Sequence, residues 1–389
     1  LEYHGESRRC SCQRQSGQNG NKSHVGLPNA QAKCATLVST LITKSICAHK
    51  AAVSSNSWSS SPKCSTCGLS RSTAASLALM LTPPTMSEAF SFLAIQRAAA
   101  LRTRRSNIVG VMLPDITNPV FPPILRGIED ALDEEGYFAL LANTSRPDHS
   151  VDAAQVAVER MQAQRVEGFL VATATRDDAW LERLRQSGAR IVLINRTDGR
   201  GHLPAVISDD MLGMRLAVDH LVGLGHQRIA HLAGPETLST GLARRLGFEQ
   251  AMREHGLGAK AIVAAEAYAV ESGEAAMQAL LAKRSKTQFT AVVAANDLLA
   301  LGGLQALKHA GLRVPRDVSV VGHNDMQLLD QVNPPLTSVR IQHYEMGFRA
   351  ARLLIDALRQ RPGSQEATVV LRPQLVVRAS TTALKPSKI

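Results

Sequence analysis

Beyond Cys67 the sequence has no cysteine. All six (Cys10, Cys12, Cys34, Cys47, Cys64 and Cys67) fall within the first 67 of 389 residues, so the other 322 use neither disulfides nor thiol chemistry. Cys64 and Cys67 have metal-ligand spacing, but no second such pair follows, and no metal is expected. Aromatic residues make up only 4%, too few for rows of stacking rings along single-stranded nucleic acid. No apolar run reaches 18 residues, which excludes an apolar membrane helix of ordinary length. Acidic residues are scarce in one place only. Residues 1–106 hold 13 Lys/Arg against 3 Asp/Glu, whereas the remainder holds 31 against 30. The formal charge of +11 therefore belongs almost wholly to the N-terminal quarter. At 44% hydrophobic residues, the nearly neutral remainder can bury a large core, and the length suits two or three domains.

Residues 1–63 lack sustained apolar periodicity and are rich in Ser, Gln, Asn and Lys, a composition that predicts disorder. The apolar run near Leu37–Ile46 is interrupted by Ser, Thr and Lys44 and sits too far along the chain for a secretory signal. The first residue is Leu rather than Met, as a fragment, a non-standard start or an upstream misreading would give. Farther on, Ser70 precedes good helix formers up to Leu81 and can cap them, and Pro83-Pro84 stop the run.

From Asn107 short apolar runs alternate with stretches of helical period. Expected strands are 108–113, 138–141, 168–172, 191–194 and 205–207, then 228–232, 261–265, 291–295 and 319–321. Expected helices include 121–135, 212–224, 244–255, 273–283, 297–310 and 344–360. Strands that are apolar throughout and alternate with helices imply parallel sheets covered on both faces. There are too many such units for one doubly wound sheet, so two Rossmann-like lobes with a cleft between them are predicted.

Ligands of open α/β sheets sit beyond the carboxyl ends of strands. Polar residues there include Thr173, Asn195-Arg196, Asp209-Asp210, Asn296-Asp297 and His323-Asn324-Asp325, and Asn118 is placed to cap the helix after the first strand. Each can serve only as a cap or turn residue, but several facing one cleft together mark a binding site. An enzyme is not expected. The sequence has no dinucleotide fingerprint, phosphate-binding loop, nucleophile elbow or zinc-protease pair. His220, His226 and His231 read as structural, with Gly225 stopping a helix.

Several runs, taken in order, carry a resemblance: Asn107-Ile-Val-Gly-Val-Met-Leu-Pro-Asp-Ile-Thr-Asn-Pro-Val-Phe121, Arg126-Gly-Ile-Glu-Asp-Ala-Leu132, His220-Leu-Val-Gly-Leu-Gly-His-Gln-Arg-Ile-Ala230, Arg244-Arg-Leu-Gly-Phe248, Ala295-Asn-Asp297, Val314-Pro-Arg-Asp-Val-Ser-Val-Val-Gly322, Pro334-Pro-Leu-Thr-Ser-Val-Arg340 and Leu375-Val-Val-Arg-Ala-Ser-Thr381. Residues 95–383 thus resemble the LacI/GalR family of bacterial transcriptional regulators. The resemblance implies a cytoplasmic, homodimeric repressor without cofactor. Its two type I periplasmic-binding-protein-like lobes would be joined by three crossovers and preceded by a hinge helix and a degraded helix-turn-helix. It places one lobe at 107–207 plus 337–367 and the other at 208–336 plus 368–385. It implies a sugar-like or carboxylate-bearing effector in the cleft, contacted by Val120, Phe121, Thr173, Asn195, Arg244, Tyr268, Asp297 and Asn324. Arg244 offers a planar fork of donors, Asp297 an acceptor for hydroxyls, and Tyr268 an apolar ring face. The family usually has Asp where Asn324 stands and an aromatic where His323 stands.

The same resemblance places a DNA-contacting hinge helix at 96–106, with Ala98, Leu101 and Arg102 on it. Leu101 would wedge into the minor groove, and Arg102, Arg104 and Arg105 would meet phosphates. Residues 64–95 echo a helix-turn-helix, with Ser70, Arg71, Ser72 and Thr73 opening the recognition helix. Its first helix is replaced by Ser/Cys-rich sequence, which suggests that residues 1–95 are partly a misread or frame-slipped reader. The alternatives are a solute-binding protein, or an effector-binding core that has lost its operator DNA.

Overall fold

A computed structural model describes residues 106–144, 153–283, 288–360 and 368–384. All lie in one compact unit, Arg104–Ile389. The expectations for residues 1–105 fall outside the described residues: the paired cysteines, the Ser70 cap, the helix-turn-helix and all of the hinge except Ser106.

The first sheet has the order β11-β5-β4-β3-β1-β2, from strands β1 (Ile108–Leu113), β2 (Phe138–Asn143), β3 (Gly168–Val171), β4 (Arg190–Ile194), β5 (Ala205–Ser208) and β11 (Thr368–Leu371). The second has the order β12-β10-β9-β8-β6-β7, from β6 (Ile229–Ala233), β7 (Ile262–Ala264), β8 (Ala291–Ala294), β9 (Ser319–Asn324), β10 (Thr337–Arg340) and β12 (Gln374–Val376). Pairing is parallel except between β10 and β12. The two sheets are the two predicted lobes.

Alternation along each strand feeds two cores per sheet. Val109, Val111 and Leu113 face one core of the first lobe with Val192 and Ile194, while Met112, Phe169, Val171, Ile191 and Leu193 face the other. The second sheet divides likewise, with Leu232, Val292 and Val320 on one side and Ile229, Val293 and Val321 on the other. Helix α1 (Phe121–Asp133) opens with Pro122 and Pro123, whose missing N–H groups cost nothing at a helix start. It buries Phe121, Ile124, Ile128 and Leu132 at helical spacing.

Two helices not drawn from the sequence pattern are α2 (Ala153–Ala163) and α3 (Ala179–Gln186). α2 is a weakly patterned run, and α3 has a one-sided apolar face with Leu181 and Leu184 buried but spans only eight residues, barely two turns of pattern. The remaining helices are α4 (Asp210–Gly223), α5 (Ser239–Glu254), α6 (Val270–Ala282), α7 (Asp297–His309) and α8 (His343–Leu358). Asp209 and Asn296 cap α4 and α7, accepting from Leu212 N at 3.0 Å and Leu299 N at 2.9 Å. Gly225 follows α4 at φ +89°, a conformation glycine adopts freely, as the helix stop requires. Asn118 behaves differently from expectation. Its Oδ1 accepts from Val120 N at 3.1 Å, closing a turn just before α1, while Val120 takes the N-cap position.

Three crossovers join the lobes, after β5, after β10 and after β11. Two of the expected boundaries move. Residues 337–340 belong to the second sheet, because β10 pairs with β9, and Ile341 is the first residue beyond them to enter the first lobe's core. Residues 368–371 belong to the first sheet, because β11 pairs with β5 and Leu371 is buried in that core.

Candidate functional site

The site is built from strand ends and helix starts. In the second lobe the chain turns from the carboxyl ends of β6, β8 and β9 into a polar cluster centred on Arg244, which α5 carries inward. Arg244 is 2% exposed. Its Nε donates to Asp210 Oδ1 at 2.9 Å and its Nη1 to the carbonyl of Ala295 at 2.8 Å. Its Cζ lies 5.9 Å from the centre of the Tyr268 ring. Burial works against the charge of Arg244, but Asp210, and then Tyr268 and Asp297, outweigh it and hold the guanidinium protonated. Gly234, at the end of β6, makes room for the Tyr268 hydroxyl; a Cβ there would lie 2.3 Å from it.

Asp297 opens α7 and is 1% exposed. The Ser338 hydroxyl donates to its Oδ1 at 2.5 Å and Met326 N to its Oδ2 at 3.0 Å. Burial pushes its carboxyl up to about 7, against the pull of both donors. Asn324 ends β9 at φ +108°, and its Oδ1 lies 3.2 Å from His323 Nδ1. His323 Nε2 approaches Asp210 Oδ1 at 3.7 Å. Burial first, and then Arg244, hold His323 well below the ordinary imidazole range.

In the first lobe the corresponding strand ends carry buried polar atoms with no hydrogen-bond partner among the described residues. They are Thr173 Oγ1 after β3, Asn195 Oδ1 and Arg196 Nε after β4, and Ser208 Oγ at the end of β5. These strands are neighbours in the sheet, so the four atoms come from adjacent strand ends. Unpaired buried groups are rare and costly in folded proteins, and here they mark groups suited to a ligand. The lobes meet beside them. Arg176 N donates to Thr237 O at 3.0 Å, Arg176 Nη1 to Glu236 O at 3.3 Å, and Thr197 N to Ser239 Oγ at 2.9 Å.

The residues singled out from the sequence thus fall into three groups. Arg244, Tyr268, Asp297 and Asn324 gather in the second lobe, and Thr173 and Asn195 lie at adjacent strand ends of the first. Val120 and Phe121 are buried in the first lobe's apolar core, 4% and 2% exposed, and offer packing rather than polar contacts. Two expected roles are narrowed. Arg244 commits two of its donors to the protein, so its whole fork is not free for an effector. Asp297 already accepts from two protein donors. Asp210, Arg196 and His323 were visible as polar strand ends, but not as partners of Arg244 or as unpaired groups. Ser208 and Ser338 gave no signal beyond being polar residues in short apolar runs.

The three histidines outside the cleft make structural contacts. His220 Nε2 lies 2.9 Å from Thr381 Oγ1. His226 bridges Thr290 Oγ1 at 2.9 Å and Thr382 O at 3.0 Å. His231 Nδ1 donates to Val293 O at 2.8 Å. Among the described residues no group of three or more His, Cys, Asp or Glu is arranged to hold a metal. No helix among them is long and apolar enough to cross a membrane.

Two doubly wound lobes joined by three crossovers, with polar strand ends facing inward, define a periplasmic-binding-protein-like ligand-binding core. A family model described as a periplasmic binding protein-like domain matches residues 218–381. The HTH-type transcriptional regulator MalR of Streptomyces coelicolor is 36% identical over 305 residues, covering 76% of this chain and 86% of that protein. The HTH-type transcriptional repressor CytR of Escherichia coli is 31% identical over 287 residues, covering 73% and 82%. Among solved structures, a complex of the transcriptional regulator CelR with cellobiose superposes with a TM-score of 0.66 at 29% identity, over 77% of this chain and 92% of that one. The lac repressor dimer bound to operator and the anti-inducer ONPF gives 0.66 at 27% identity, over 74% and 98%. The chain belongs to the LacI/GalR family of bacterial transcriptional regulators. These relatives are regulators, not enzymes.

Proposed function

We propose that this chain is a dimeric, cytoplasmic, DNA-binding repressor controlled by a small molecule held between its lobes. The observation that carries the effector part is the set of unpaired buried polar atoms on Thr173, Asn195, Arg196 and Ser208, opposite the Arg244 cluster. Thr173 and Asn195 read hydroxyls of a sugar-like or carboxylate-bearing effector, and Tyr268 covers an apolar ring face. Arg244 supplies its remaining N–H groups, with Asp297 and Asn324 beside it. Val120 and Phe121 form the apolar wall. Cellobiose in the CelR complex and the operator in the lac repressor complex support the two halves of this reading. Ser70, Arg71, Ser72 and Thr73 are assigned to the reader, and Ala98, Leu101 and Arg102 to the hinge, on the sequence motif alone.

The mechanism is linkage. An effector with different affinity for two lobe arrangements shifts their populations, and the operator affinity of the paired hinges shifts with them. A two-fold dimer suits a palindromic operator. The test is selection of binding sites from random duplex DNA by the full chain, followed by addition of cellobiose or other neutral and acidic sugars. Enrichment of a palindrome whose binding changes with one of these sugars is expected. Sugar binding without any enriched DNA would reduce the protein to an effector-binding core.

A further inference from the structure

Arg196 differs from Arg244 in one respect that bears on the effector's chemistry. It follows Asn195, whose φ of +64° turns the chain sharply at the end of β4. Its Nε is sealed from solvent and meets no acceptor among the described residues. The acid that acts on its charge, Asp178, is already occupied: its Oδ2 accepts from Thr175 N at 2.6 Å and its Oδ1 from the Thr175 hydroxyl at 2.5 Å. Burial lowers the guanidinium to about 10, which leaves it charged at neutral pH. Across the cleft, Arg244 repels that charge. Arg244 has Asp210 as its counter-ion; Arg196 has none of comparable geometry. A sealed N–H without an acceptor is costly, and an anion placed against it is correspondingly rewarded.

The neighbouring groups are neutral. Thr173 Oγ1, Asn195 Oδ1 and Ser208 Oγ can exchange hydrogen bonds with hydroxyls but cannot balance a charge. We propose that the effector is an acidic sugar, a polyol bearing a carboxylate or phosphate, whose anionic group is held by Arg196 while Thr173, Asn195 and Ser208 read its hydroxyls. This rests on the reading of the cleft as the effector site. Between Arg196 of the first lobe and Arg244 of the second, the anion offsets the repulsion of the two guanidiniums, so its binding favours the lobes held together.

The experiment is calorimetry on the full chain with matched sets: glucose, glucuronate and glucose 6-phosphate, then galactose, galacturonate and galactose 6-phosphate. One acidic member is expected to bind at least about tenfold more tightly than its neutral parent, as one charge-assisted hydrogen bond in a sheltered site provides. The uronate and phosphate arms tell which anion is meant. Arg196→Gln is expected to erase that preference, read as the ratio of the acid's affinity to its parent's in the same variant, with the melting temperature showing that the variant is folded. Arg196→Lys, which keeps the charge without the fork, is expected to retain part of it. Neutral parents binding as tightly as their acids, or Arg196→Gln leaving the acid's affinity unchanged, would overturn the anionic assignment and leave the cleft as the effector site. Binding by no sugar of either set would overturn the cleft reading as well.

Discussion

Both lobes stack a six-stranded sheet between helices, and both bring two helices together over glycine. A Cβ on Gly347 of α8 would lie 2.0 Å from the Ile124 carbonyl oxygen of α1, and one on Gly302 of α7 would lie 2.0 Å from the Val270 carbonyl oxygen of α6. The lobes differ where their strands end. In the second lobe the charged residues of the cluster are spent on the protein, Arg244 on Asp210 and Ala295 and Asp297 on Ser338 and Met326, while His231 Nε2 and His323 Nε2 lack a hydrogen-bond partner among the described residues. In the first lobe Thr173, Asn195, Arg196 and Ser208 each keep a buried atom without a partner. The same architecture therefore separates two tasks. The second lobe's polar cluster stabilises its own fold and shapes one wall of the cleft, while the first lobe keeps hydrogen-bonding capacity in reserve.

The sharpest way to break this contrast is to remove the centre of the satisfied cluster. Arg244→Met leaves Asp210 buried without its counter-ion, and an expected loss of about 3–5 kcal/mol is read from urea unfolding. A much smaller loss would mean that the second lobe's network is no more structural than the first lobe's.

The pH dependence of stability is shared by the lobes, for burial also lowers His343, at the start of α8 in the first lobe, to about 4. Burial lowers His231 to about 4 from 6.5, so its contribution is complete above pH 6.5 and is lost as pH falls toward 4. The amount is on the order of 3 kcal/mol, and His231→Phe is expected to flatten the acid limb of urea midpoints measured across that window. Asp297 has the opposite sign. Its raised carboxyl favours the folded state most below pH 3.8, and that contribution fades as pH rises toward 7. Asp297→Asn is accordingly expected to steepen the acid limb.

Gly347→Ala probes what the lobes share. The added methyl meets backbone rather than a movable side chain, and a loss of about 1–3 kcal/mol is expected in the same assay, matched by Gly302→Ala. Unequal losses would show that the helix contacts differ in more than position.

The smallest expected effect has the opposite sign. Thr173→Val replaces an unpaired buried hydroxyl with a methyl of similar size and is expected to stabilise the free protein by about 1 kcal/mol while weakening effector binding. Destabilisation would mean that the hydroxyl has a structural partner after all.

Much of this molecule is readable along the chain, because the signals involved are short-ranged. Alternating apolar runs marked the strands from Ile108 to Val321. Asp209 and Asn296 marked helix starts through contacts three residues away, and Gly225 marked a stop. The ordered motifs between Asn107 and Thr381 pointed to the family that the relatives then established. Other features depend on pairings that no local pattern encodes. Arg244 finds Asp210 at a sequence separation of 34, and Ser338 finds Asp297 at 41. Residues 337–340 and 368–371 are both four-residue segments that open with Thr, and only the edges offered by β9 and β5 assign them to opposite lobes. Which polar groups stay unpaired is likewise decided by the tertiary structure. Composition supplies donors and acceptors, but whether Thr173, Asn195, Arg196 and Ser208 find partners depends on what the folded chain brings within hydrogen-bonding distance.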